Sequence, residues 1–173
     1  SIHYVPHDER DRLADPHAWP AALRSPDVDG LILVRQFETA LVAQLADHWP
    51  CVSISHDYPD TAVDCIEADH TQAIDRAVQH LIACGHHHIG FLAAQGSESW
   101  NHARLAAYVQ ALSCRGMPIR AEQIIPPDWQ ADESGTVAER ILAAVQNGIA
   151  AWVCANDYVG TFVFNQLRNA GLR

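Results

Sequence analysis

Short runs that are apolar from end to end, separated by stretches carrying a helical stripe, restrict this chain more than any other feature. Ser1–Val5, Gly30–Val34, Cys51–Ser55, His88–Ala94 and Ala150–Ala155 read as strands. They are continuous instead of alternating in polarity, as parallel strands covered on both faces should be. Between them, Ile74, Ala77, Val78, Leu81 and Ile82 repeat at i, i+3, i+4, i+7, i+8. Leu105, Tyr108, Val109 and Leu112 repeat the stripe, and so do Val159, Phe162, Val163 and Leu167. Further helices are expected over 38–48 and 134–146. Pro50 precedes a strand, Gly116 with Pro118 and Gly148 stop helices, and Asp157 is placed to cap the last one. An alternation of β and α elements on this scale predicts an α/β fold with a doubly wound, mostly parallel sheet. Ligands of such sheets bind at the carboxyl ends of the strands.

Gly85-His86-His87-His88 interrupts this pattern. Gly85 fits the position just past a helix end, where a positive φ costs glycine least. The histidines then lie on extended chain, whose neighbours point to opposite faces and do not converge on one ion. No His/Cys set at ligand spacing is read beside them, so no metal is expected, and the segment reads as a helix-to-strand joint.

Composition narrows the function. A formal charge of −10 over 173 residues is a poor match for a phosphate backbone, so this segment is not expected to hold nucleic acid unaided. Five widely spaced cysteines, mostly in apolar surroundings and without a C-x-x-C pair, read as reduced, buried thiols of a cytoplasmic protein. No apolar run approaches the roughly 20 residues of a membrane span, and no signal peptide is read. The chain opens on a strand pattern and stops at Gly171-Leu172-Arg173, so truncation at both ends is expected. Neither G-x-S-x-G nor G-x-x-x-x-G-K occurs. His56-Asp57 and Asp69-His70 therefore read as loop or cap residues, and neither catalysis nor a cofactor is expected.

The stretch "DHTQAIDRAVQHLIACGHHHIGFLAA", followed by "RLAAYVQAL" and later by "VCANDYVG", resembles the effector-binding core of LacI/GalR-type transcriptional regulators. The matching positions are Asp69, His80-Leu81, Gly85-His86, Ile89, Arg104 and Tyr108, then Ala111-Leu112 and Ala155-Asn156-Asp157. His87 and His88 stand where basic residues are usual, Ala107 where glycine is common, and Ser55 where aspartate is frequent. The resemblance implies a type I periplasmic-binding-protein-like fold in two partial lobes, residues 1–85 and 86–173, crossing at Gly85–His88. It also implies a homodimer, a sugar- or nucleobase-like effector held between the lobes, and operator DNA bound through an N-terminal helix-turn-helix outside this chain. The alternative is a periplasmic sugar-binding protein of an ABC transporter, against which the cysteines and the Gly-His joint argue.

The resemblance also selects ligand-binding candidates. Asp69 offers a carboxylate for paired hydroxyls, though a helix cap accounts for it equally well. Arg104 offers a planar fork for polyols or carboxylates. Trp129, in a polar loop, offers an aromatic face for a sugar or base. Asn156 supplies a donor and an acceptor, while Asp157 suits a cap better. Glu98 and Trp100 match positions that vary with the effector, and Tyr158 is placed to reach a cleft or a partner subunit.

Overall fold

The structure, a computed structural model, describes Val5 and residues 12–96, 98–126 and 136–172. It divides into two compact units, Ser1–Ala68 and Asp69–Arg173.

In the first unit, strands β1 (Leu31–Leu33), β2 (Cys51–Ile54) and β3 (Val63–Ile66) form a parallel sheet in the order β1-β2-β3. Helix α1 (Thr39–Ala46) makes the crossover between β1 and β2. Leu31 pairs with Cys51 and Leu33 with Ser53, while Cys51 pairs with Val63 and Ser53 with Cys65. Three residues of this register row are buried: Leu33 and Cys51 pack with Val42 and Leu45 of α1 and with Trp19 and Tyr58, and Ser53 lies on the same face. The Trp19 indole N–H donates to the Leu13 carbonyl at 3.0 Å, so its burial leaves that donor satisfied. β2 is followed at once by Ser55, whose φ of 63° turns the backbone out of the extended region.

The second unit holds the parallel sheet β5-β4-β6, made of β4 (Ile89–Leu92), β5 (Ile124–Ile125) and β6 (Ala151–Cys154). Helices α2 (His70–Ala83), α3 (Ser99–Ser113), α4 (Val137–Gln146) and α5 (Asp157–Asn169) surround it. All four residues of β4 are buried. The central strand's close packing explains Gly90: a Cβ there would lie 2.7 Å from the Trp152 ring on β6. The buried Tyr108 hydroxyl donates to the Ile89 carbonyl at 2.7 Å, and the Gln123 amide donates to the same oxygen at 2.9 Å. Desolvation raises the Tyr108 pKa well above that of a free phenol.

Four of the five expected strands and all five expected helices are present; Ser1–Val5 lies outside the described residues except for Val5. β3 and β5 were not expected. β3 alternates half-buried and exposed residues, with Asp64 on its open side, and β5 has only two residues. The unit boundary also differs from the expected 85/86 division and falls between Ala68 and Asp69. The reason is packing: Ile74 and Val78 of α2 are buried in the same core as Ile89, Phe91 and Leu112. Gly85–His88 is therefore a joint inside the second unit. Gly85 takes φ 90°, its N–H bonds the Ile82 carbonyl, and the His86 N–H bonds the Leu81 carbonyl, the double closure of a Schellman turn.

Candidate functional site

Parallel strands joined by helices bring several helix starts to one sheet edge. In the second unit α3 follows β4, α5 follows β6, and α2 runs back towards the start of β4. The first turns of α2, α3 and α5 thus gather at the carboxyl ends of β4 and β6, where backbone N–H groups point outward.

Arg104 joins these three elements. From α3, its Nε donates to Nδ1 of His70, the first residue of α2, at 3.2 Å. A second guanidinium nitrogen donates to the Ala155 carbonyl just past β6. The guanidinium also lies 4.8 Å from the centre of the Trp100 ring. Accepting at Nδ1 requires a neutral His70 ring with its proton on Nε2. His70 is itself buried. Arg104 is therefore a half-buried, oriented cation.

The loop from β4 to α3 is fixed by Asn101, which is fully buried. Its side-chain oxygen accepts from the Ala94 N–H at 3.0 Å, and its amide donates to the carbonyls of Ala94 at 2.6 Å and Gly96 at 3.3 Å. Glu98 precedes α3 in extended conformation and makes no capping bond. Its carboxylate lies over Gly96, whose φ of 120° and crowded Cβ position both suit glycine. One Glu98 oxygen is buried without a hydrogen-bond partner. A buried acceptor in this state favours any donor brought to it.

Asp69 caps α2, accepting from the Gln72 N–H at 2.8 Å. Asn156 caps α5, accepting from the Val159 N–H at 2.9 Å. The cap expected at Asp157 is thus one residue earlier, because Asn156 holds the extended conformation and Asp157 is already helical and exposed. Tyr158 is 83% exposed. Trp129 lies outside the described residues. Asn101 matches no motif, and His70, which reads in the sequence only as a loop or cap residue beside Asp69, proves to be a buried partner of Arg104: each is one polar residue in a helix's first turn, and only the fold shows what it reaches.

Among the described residues no group of three His, Cys, Asp or Glu side chains is placed to hold a metal ion. Burial pushes the Cys154 thiol up to about 11, so it stays protonated at neutral pH and is a poor nucleophile. No helix among the described residues is long and apolar enough to cross a membrane.

The family model for periplasmic binding proteins and the sugar-binding domain of the LacI family matches residues 12–173. The lactose operon repressor of Klebsiella pneumoniae is 30% identical over 148 residues, covering 84% of this chain and 41% of the repressor. The HTH-type transcriptional regulator DegA of Bacillus subtilis is 25% identical over 158 residues, covering 88% of this chain and 46% of the relative. The chain thus spans less than half the length of either relative. A LacI family transcriptional regulator from Mycobacterium smegmatis superposes with a TM-score of 0.68 at 21% identity, over 98% of this chain and 60% of that one, a likeness of fold. With the matched region extending over nearly all of it, the chain belongs to the family of periplasmic binding proteins and LacI-type sugar-binding domains.

Proposed function

We propose that the chain is the effector-sensing part of a LacI-type transcriptional regulator and that it catalyses no reaction. In this reading a small hydroxyl-rich molecule, such as a sugar, binds at the carboxyl edge of the second unit's sheet. Arg104 and Asn156 supply polar contacts there, Asp69 and Glu98 accept from hydroxyls, and Trp100 offers an apolar face. Trp129, Asp157 and Tyr158 remain further candidates. The observation that carries the reading is Arg104, oriented by His70, the Ala155 carbonyl and Trp100 where three helices begin. Orientation before binding limits the ordering cost on association. Occupancy then biases the regulator towards one state, a coupling of typically about 1–3 kcal/mol. Operator binding, through a helix-turn-helix elsewhere in a homodimeric cytoplasmic protein, completes the proposal. A periplasmic sugar-binding protein of a transporter is less favoured, since the named relatives are regulators and repressors of transcription.

A thermal-shift screen against sugars, nucleosides and small acids tests this. An effector raises the melting temperature of the chain, and Arg104→Ala removes that rise when it is measured from the variant's own unliganded baseline. The baseline itself falls, because the His70 and Ala155 bonds are lost as well. An undiminished shift in Arg104→Ala takes the arginine out of the site.

A further inference from the structure

The last turn of α2 carries a pairing that the His86–His88 triplet conceals. His80 and Cys84 are four residues apart, both exposed, with the Cys84 sulfur 3.7 Å from Nε2 of His80. In a tetrahedral zinc site, bonds of about 2.1 Å to imidazole nitrogen and 2.3 Å to thiolate sulfur place those donors about 3.6 Å apart. The spacing present in the protein already matches that bite. From these observations we propose that His80 and Cys84 form a two-donor surface site for a thiophilic divalent cation of the zinc class, with water in the remaining positions.

Three independent features favour a cation here. The site lies at a helix C-terminus, the negative end of the backbone dipole. Cys84 is the C-cap residue, held by its N–H bond to the His80 carbonyl, so both side chains stand on a fixed backbone. The chain's formal charge of −10 adds a general attraction for cations. Thiolate with imidazole is a donor set that selects zinc and similar ions over magnesium or calcium. Because no third donor is in place among the described residues, the ion is exchangeable and is not a structural staple. Coordination transfers the Cys84 thiol proton to solvent, so affinity rises with pH. The site is on the end of α2 opposite His70, away from the proposed effector contacts.

Cobalt(II) serves as the optical probe and zinc(II) as its competitor, using the whole reduced chain. One equivalent of cobalt should give a thiolate-to-metal absorption band that zinc abolishes. Cys84→Ser should eliminate the band and His80→Ala should abolish binding at stoichiometric cobalt. Cys114→Ser, which removes the other exposed thiol, should leave it intact. Replacing His87 and His88 together with alanine should also leave it intact. A thiolate band that survives Cys84→Ser, unchanged affinity in His80→Ala, loss of the band in the His87/His88 variant, or no band in the wild type each overturns the proposal. In the last case the pair is only a thiol–imidazole hydrogen bond.

Discussion

The two sheets are built from similar three-strand parallel ladders, yet they bury their strands differently. In the second unit, β4 is enclosed on both faces, and Phe91, Leu92, Tyr108 and Ile141 share its core. In the first unit, one face packs on α1 while the other carries Ile32, Ile54 and Ile66, with Ile32 70% and Ile66 63% exposed. The expectation that every strand run is covered on both sides therefore holds for β4 and fails for β1 and β2, and the unexpected β3 is open on the same face. An apolar run records that both faces of a strand tolerate hydrocarbon. It does not record what, if anything, lies over each face within this chain. The consequence is energetic: burial stabilises by about 25 cal/mol per Å² of apolar surface removed from water, and β1 to β3 gain it on one side only.

The largest test of this contrast is Phe91→Ala. Phe91 is fully buried at the centre of β4, with its ring 5.0 Å from that of Tyr108. Removing it should cost about 3–5 kcal/mol, from lost transfer energy and the cavity left behind. Denaturant unfolding followed by circular dichroism measures the loss. A cost below about 1 kcal/mol would mean that the second sheet is as lightly enclosed as the first.

Of the five thiols expected to be buried only Cys51 is; Cys65 and Cys154 are half-buried, and Cys84 and Cys114, at helix ends, are exposed. Cys51 and Cys154 sit one in each sheet, so alkaline pH tests the two enclosures separately. Burial raises the Cys51 thiol on β2, and it pushes Cys154 on β6 up to about 11 from 9.0. Between those two pH values the unfolded chain has released the Cys154 proton while the folded chain keeps it. Stability is therefore complete below about pH 9 and declines as pH rises towards about 11. Two pKa units correspond to about 2.7 kcal/mol, and partial exposure of the residue reduces this to about 2 kcal/mol. Cys154→Ala should flatten the stability profile across this window, and Cys51→Ala should flatten it less. Equal flattening would show that the two sheets shelter their thiols alike.

The elements with strong periodicity were the legible ones. The stripes of α2, α3 and α5 and the unbroken runs at β4 and β6 each state their own period without reference to the rest of the fold. β5 was too short to state one, and in β3 the exposed Asp64 breaks up the apolar run. The unit boundary was illegible for a different reason. The stripe of Ile74 and Val78 says that α2 covers a core, but it does not say which, and Gly85 carries the same signal for a turn inside a unit as for a joint between units. The proposed site divides in the same way. Asp69, Arg104 and Asn156 followed from the family resemblance, whereas the support from His70 depends on three separate segments meeting at Arg104, a relation no local spacing encodes; Asn101 closes its own β4–α3 loop, through bonds that a single asparagine in a helix's first turn does not announce.

Ile32→Ser gives the smallest expected effect and bears most directly on the difference between the sheets. Ile32 pairs with Val52 in the central register of the first sheet but exposes most of its side chain to solvent. A surface substitution of this kind should change stability by no more than about 0.5 kcal/mol. The adjacent Leu33, 5% exposed on the packed face, provides the internal reference: Leu33→Ala should cost about 2–5 kcal/mol. The ratio of the two costs, from paired denaturation curves at one protein concentration, measures how one-sided the first sheet is in solution. If Ile32→Ser costs as much as Leu33→Ala, the outer face of β1 is covered in solution, and the contrast between the two sheets belongs to the isolated chain alone. A cost that grows with protein concentration would trace that cover to a second copy, because association stabilises the folded state by mass action.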